Sequence, residues 1–290
     1  MNFRLQDQTE VSPSDAFFIT GSGRCGTTLL RRLIVEKSGA VIPPENYSLG
    51  VSGRFSSAAQ QDWGLSCRLI IGEVQRDSPQ NGAFGVDAAM AISLLSSIPP
   101  EHRTIANFWH AFHAIYATHV GKPSVSRWGD KTPLNAARLD NIIELFPTAR
   151  FIFMIRDIFD VAYSYGSMDV VGRRGKYLDG ARRWVESNWK IRDFSQRYPE
   201  HSLFVRYEDL VNNNGSCLDA VFSFLSLQSS NVPPMSKNET TDMLAIPHLR
   251  NSLGEVRSDF IGKGAAELPQ EMKQEMARLA SDLRGFFGYF

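Results

Sequence analysis

Ala16-Phe17-Phe18-Ile19 leads into Thr20-Gly21-Ser22-Gly23-Arg24-Cys25-Gly26-Thr27-Thr28. Leu29, Leu30, Leu33 and Ile34 then recur at helical spacing, and Gly39 stands where a C-terminal cap belongs. An apolar run, a glycine-rich turn and a helix, in that order, predict a buried strand feeding a helix N-terminus. Such a turn aims several backbone N–H groups at one point. The helix dipole adds partial positive charge there, so phosphate or sulfate binds well. A tight turn that merely needs glycines is the plainer explanation; the arginine and the hydroxyls in this strand–helix context favour an anion. Gly21 and Gly26 stand in the register of the nucleoside-triphosphate loop G-x-x-x-x-G-K-[ST]. Thr27, however, occupies the lysine position of that loop, and the cation has moved to Arg24.

Working outward, Phe151 to Ile155 and Leu203 to Val205 are two more short apolar runs, each followed by polar residues and helical periodicity. Strands alternating with helices predict a mainly parallel sheet in an α/β fold. The second strand delivers Arg156 to the carboxyl edge of that sheet, where open α/β folds bind ligands. Asp157 is placed to cap the next helix, and Ser164 lies two turns along it. A nucleoside triphosphatase would end this strand in an aspartate for Mg²⁺; a cation there suits a second phosphate. In isolation, Arg156-Asp157 is equally an ordinary ion pair at a strand end. Asn141 to Leu145 reads as a short helix and Pro269 to Leu283 as an amphipathic terminal helix. Ser48 to Ser126 reads as a mainly helical insertion over the sheet.

These segments resemble the sulfotransferase family. Arg24-Cys25-Gly26-Thr27-Thr28 is similar to its K/R-S-G-T-T loop, with Arg for Lys as in tyrosylprotein-type members and Cys25 for Ser. Arg156-Asp157-Ile158-Phe159-Asp160-Val161-Ala162-Tyr163-Ser164 is similar to its second signature, R-D-x-x-D-V-x-x-S. Trp128-Gly129-Asp130-Lys131-Thr132-Pro133 resembles the D-K-T-P segment, and Tyr207-Glu208-Asp209-Leu210-Val211 the Y-E-D-L-V strand end. The likeness runs from Phe17 to Lys263 and thins between Ser48 and Ser126. It implies a single P-loop-type α/β domain using 3′-phosphoadenosine-5′-phosphosulfate (PAPS) as donor and releasing 3′,5′-ADP. It implies that Ser22, Gly23, Arg24, Cys25, Gly26, Thr27 and Thr28 hold the phosphosulfate. Arg156 and Ser164 would hold the 3′-phosphate, and Tyr207 would touch the nucleotide unless it simply packs at a strand end. Lys263 would close over the 3′-phosphate, with Arg257 as its alternative. The cofactor core is expected at about 15–45 and 127–290, and the acceptor-side insertion at about 46–126.

Sulfuryl transfer moves a singly charged group through a loose, in-line transition state, so side-chain cations can replace Mg²⁺. No metal-ligand constellation is read: His110, His113 and His119 lack the carboxylate partner of a zinc helix. Arg24 is expected to stabilise charge as the bond to sulfate breaks. Lys131 does so from the opposite side, or is a surface lysine before a turn. The acceptor hydroxyl needs a general base. Glu45, after Pro43-Pro44, matches in spacing the glutamate of tyrosylprotein-like members; the histidine of cytosolic members makes His110 or His113 the rival. Two other functions stay open: a P-loop kinase or triphosphatase, and a nucleotide-binding protein of the same fold that transfers nothing.

The 290 residues, 43% hydrophobic, suffice for one or two domains, and no linker separates two. Lys plus Arg and Asp plus Glu number 31 each, which argues against a general nucleic-acid binder. Three cysteines point to a reducing compartment, and Met1 to Val11 is too polar for a signal peptide. A cytoplasmic protein without a membrane span is expected, acting on a small-molecule or peptide hydroxyl.

Overall fold

Phe18 shows how the centre is built. Its ring stacks on Phe151 at 5.3 Å and meets Phe146 at 5.7 Å and Trp128 at 6.0 Å, and all four side chains are buried. These residues come from three strands and a helix end that are far apart in sequence. Their burial, worth roughly 1.5–3 kcal/mol per side chain, draws the strands into one sheet.

The computed structural model describes residues 16–77, 83–122, 127–170, 173–174, 176–229, 235–245 and 252–289. The polar stretch Met1 to Val11, and parts of the insertion at 78–82 and 123–126, lie outside them. The strands are β1 (Ala16–Gly21), β2 (Trp128–Lys131), β3 (Arg150–Ile155), the short antiparallel pair β4 (Asp169–Val170) and β5 (Arg173–Arg174), and β6 (Ser202–Arg206). The main sheet runs β2-β1-β3-β6 and is parallel throughout. Helices are α1 (Thr27–Ser38), α2 (Ser56–Gln61), α3 (Trp63–Asp77), α4 (Ala88–Ser96) and α5 (Ile105–His119). There follow α6 (Leu139–Leu145), α7 (Ile158–Gly166), α8 (Tyr177–Arg197), α9 (Tyr207–Asn212) and α10 (Asn214–Leu225). The last are α11 (Lys237–Ala245), α12 (Lys263–Glu267), α13 (Gln270–Leu279) and α14 (Ser281–Phe286). The protein is therefore an α/β domain with a parallel sheet flanked by helices, as the sequence predicts.

From β1 the chain first crosses to β2 on one side, then back over β1 to β3 on the other. Right-handed crossovers put α1 on one face of the sheet and α6 and α8 on the opposite one. Phe194 of α8 accordingly packs on Phe151 and Phe153 at 4.8 and 6.0 Å. The reversal of direction beside β1 opens a crevice at the carboxyl ends of β1 and β3.

Two elements differ from the sequence reading. Trp128–Lys131 is a strand, although its single large apolar residue gives no strand pattern; β1 supplies the pairing, Ala16 to Trp128 through Ile19 to Lys131. The terminal helix breaks at Ala280 into α13 and α14. The bend lets Phe286 and Phe287 reach Phe204 at 6.0 and 5.5 Å, and Phe287 reach Trp184 at 6.2 Å. That gain in packing comes from distant partners, so no local signal marks the break. The insertion is helical as expected. It is fastened to β2 by α5, where His113 stacks on Trp128 at 3.7 Å and Trp128 Nε1 donates to His110 Nδ1 at 2.8 Å. Among the described residues, no helix is long and apolar enough to cross a membrane.

Candidate functional site

The register of the sheet places four chemistry-bearing segments on one edge. Gly21 ends β1 opposite Met154, Lys131 ends β2 opposite Ile19, and Ile155 pairs with Arg206 just before Arg156 and Tyr207. The turn after β1 is wound through left-handed conformations at Gly23 (φ 79°), Arg24 (φ 56°) and Gly26 (φ 96°). Only Gly26 fits its position, because a Cβ there would stand 2.5 Å from the Tyr207 ring. The N-terminus of α1 that follows has no side-chain cap and no acidic residue in its first turn. Its leading N–H groups are left for an anion. By contrast, Asp157 caps α7, its Oδ1 accepting from Phe159 N at 2.8 Å.

Arg24 and Ser164, 140 residues apart, meet directly: Arg24 Nε donates to Ser164 Oγ at 3.1 Å. Arg156 Nη1 donates to the Arg24 carbonyl at 3.2 Å and Nη2 to the Phe260 carbonyl at 2.5 Å. Its guanidinium lies 4.3 Å from the centre of the Tyr207 ring, a cation–π contact. The Arg156 carbonyl accepts from Trp184 Nε1 at 2.8 Å, which fixes the strand end. Burial, and then the charge of Arg156, lower the pKa of Arg24. Among the described residues no acid pairs with Arg24, so this corner is poised for added negative charge. Cys25 is fully buried, and burial pushes its thiol up, so a neutral thiol stands where the resembling loops carry serine. Ser22, Thr27 and Thr28 are also buried, the Ser22 hydroxyl donating to the Gly23 carbonyl at 3.1 Å.

A second cluster lies at the end of β2, across β1 from β3, and the Glu45 charge in it acts on Arg24. Lys131 is no surface lysine: it is fully buried, and Nζ donates to Glu45 Oε1 at 2.7 Å and Thr28 Oγ1 at 3.3 Å. A cation thus reaches the start of α1 from β2, whereas a triphosphate loop carries its own. Tyr47 donates from its hydroxyl to the other Glu45 oxygen, Oε2. The chain at 45–46 is anchored because Asn46 N donates to Thr132 Oγ1 at 2.7 Å. Thr132 Oγ1 and Asn135 Nδ2 donate in turn to Asp130, at 3.2 and 2.9 Å. Burial, opposed by those hydrogen bonds, pushes the Asp130 carboxyl up to about 7.

Late in the chain, Asp160 of α7 accepts from Gly262 N at 2.9 Å and Gly264 N at 2.7 Å, and lies 3.6 Å from Arg156. This pins the loop bearing Lys263 onto α7, with Lys263 Nζ 5.8 Å from the Tyr163 ring centre. Arg257 instead pairs with Asp259 at 2.5 Å on the surface.

The histidines sit elsewhere. His110 and His113 are 6% and 1% exposed in the aromatic layer between α5 and β2, and burial lowers them to about 4 and 3. Among the described residues, no three His, Cys, Asp or Glu side chains converge on a point that could hold a metal ion.

The sequence reading did not single out Tyr47, Asp160, Trp184 or the Asp130 network. Asp160 had a signal as the second aspartate of R-D-x-x-D, and Asp130 and Thr132 stand in the D-K-T-P segment; Tyr47 and Trp184 are joined to the site only by the fold.

A model of the Sulfotransferase family matches residues 16–231. Two solved structures share the fold. The Sulfotransferase Domain from the Curacin Biosynthetic Pathway is 20% identical, with a TM-score of 0.61 over 94% of this chain and 98% of that one. The Sulfotransferase Domain from the Synechococcus PCC 7002 Olefin Synthase is also 20% identical, with a TM-score of 0.58 over 93% and 94%. No curated protein sequence matches the chain.

Proposed function

The chain belongs to the sulfotransferase family, and from that premise we propose that it moves the sulfuryl group of PAPS to a hydroxyl of a small molecule or peptide. What carries the proposal is the meeting of Arg24, Arg156 and Ser164 beside an uncapped helix start that Lys131, paired with Glu45, also reaches through Thr28. One corner suits the phosphates of a nucleotide; the other pairs a cation with a carboxylate. Arg24, which forms no ion pair among the described residues, and its bond to Ser164 fit a ligand anionic at both ends, which would engage both groups together.

The roles follow from position. Backbone N–H groups of the turn, with Ser22, Gly23, Cys25, Gly26, Thr27 and Thr28, cradle the 5′-phosphosulfate. Arg156 and Ser164 bind the 3′-phosphate, Tyr207 supports them from beneath Arg156, and Lys263 closes the site from the pinned loop. Glu45 takes the proton of the acceptor hydroxyl as its oxygen bonds to sulfur. The bond from sulfur to the bridging 5′-phosphate oxygen breaks, and 3′,5′-ADP leaves with that electron pair. Arg24 and Lys131 hold the charge that grows on the bridging and sulfuryl oxygens. No step needs a metal ion. The insertion at about 46–126 forms the acceptor side, because Tyr47 at its start touches Glu45. Glu45 is preferred to a histidine as base because His110 and His113 are walled in by Trp109, Trp128 and Phe146.

The test is transfer of radiolabelled sulfate from PAPS to a panel of phenols, steroids, sugars, peptides and lipids. Label should appear in an acceptor together with 3′,5′-ADP, unaffected by EDTA. Mg²⁺-dependent ATP turnover with no use of PAPS would overturn the proposal.

A further inference from the structure

Glu45 ends a Pro-Pro turn, and its side chain is one quarter exposed, whereas the Lys131 amine that binds it is fully buried. A carboxylate on a short flexible stem turns broadly about its last torsion, so one hydrogen bond leaves its plane undefined. Here the two oxygens are taken separately, Oε1 by Lys131 and Oε2 by the Tyr47 hydroxyl. Tyr47 is itself held by a tight turn. Asn46 Oδ1 accepts from Ser48 N and Leu49 N, both at 3.2 Å, and Asn46 N is bound to Thr132. The donors therefore stand on two different supports, β2 and the start of the insertion.

We infer that Tyr47 is a positioning residue for sulfuryl transfer: with Lys131 it fixes the plane of the Glu45 carboxylate in which the acceptor hydroxyl is met. The inference rests on Glu45 being the base. Tyr47 acts only as a donor. Burial, and then the Glu45 charge beside it, push its phenol far above the usual range, so it keeps its proton at any working pH. Each carboxylate oxygen accepts more than one hydrogen bond, so the acceptor enters without displacing Tyr47.

The experiment compares wild type, Tyr47→Phe and Glu45→Gln on two acceptors at saturation, benzyl alcohol and p-nitrophenol, with 3′,5′-ADP affinity measured alongside. Tyr47→Phe should lower kcat on benzyl alcohol about ten- to a hundredfold, the cost of a misaimed catalytic group. It should leave KM and 3′,5′-ADP affinity within twofold, and p-nitrophenol, already largely ionised, should lose much less. Equal losses on both acceptors, a loss carried by KM, or a matching loss of 3′,5′-ADP affinity would make Tyr47 a structural or binding residue and overturn the inference. So would unchanged kcat while Glu45→Gln is inactive. An active Glu45→Gln on benzyl alcohol overturns the base assignment itself.

Discussion

At the scale of single residues, the two corners of the site predict separable defects. Arg24→Ala should reduce kcat about a hundredfold or more, the range seen when a donor to a developing negative charge is removed. Its 3′,5′-ADP affinity should fall much less, since Arg156 and the turn remain; equal losses would mark Arg24 as a plain binding residue. Glu45→Gln should remove most transfer and leave 3′,5′-ADP binding nearly intact, while His113→Gln in the same assay should stay active. Asp130 gives a pH signature. Its carboxyl is held at about 7 in the fold, above the unfolded value of roughly 3.9. The folded chain therefore binds the extra proton, and stability is lost as pH rises through that window, by up to about 1.4 kcal/mol per unit. Asp130→Asn lacks this titration, so urea unfolding at pH 5 and pH 8 should show the variant gaining on wild type at the higher pH. A constant gap would place the Asp130 pKa outside the window.

Among elements, the loop before α12 is held by side-chain chemistry more than by packing. Asp160→Ala should free the N–H groups of Gly262 and Gly264 and leave Arg156 without its nearby acid. We expect 3′,5′-ADP affinity to fall about tenfold or more, roughly 1.4 kcal/mol, measured by calorimetry; unchanged affinity would exclude the loop from the nucleotide site. Gly264→Ala is the backbone version, because a Cβ there would lie 2.0 Å from the Phe159 carbonyl oxygen. The same comparison shows what the sequence made legible. β1, its turn, α1 and the Arg156 strand end could be read because apolar runs, glycines and helical repeats signal locally. Gly39 does cap α1, with φ 69°. β2 could not be read, because its four residues become a strand through β1 and a bridge to Val41, both distant in sequence. The link from this strand end to the Glu45 segment was hidden for the same reason: Asn46 to Thr132 and Lys131 to Glu45 are contacts between positions 86 residues apart, which leave no pattern in either stretch. Lys131 was legible as a cation and illegible as a buried one.

For the whole molecule, a nucleotide held by Arg24, Arg156 and Ser164 should stabilise the fold, since it engages strands β1 and β3, α7 and the late loop together. At a hundred times its Kd, 3′,5′-ADP should add roughly 2.7 kcal/mol, and a thermal shift assay should show 5′-AMP and ATP doing distinctly less. Equal shifts from 5′-AMP would remove Arg156 and Ser164 from the phosphate site. The strand order β2-β1-β3-β6 carries a further consequence, for birth on the ribosome. β1 is internal to the sheet yet precedes the other strands among the described residues, and more than a hundred residues separate it from β2, with β3 later still. At about 5–20 residues per second, translation leaves Phe17-Phe18-Ile19 without a neighbouring strand for about 5–20 s. During that interval a strand destined for full burial has no native partner, so the yield of active protein should depend on chaperone capture and rise when elongation is fast.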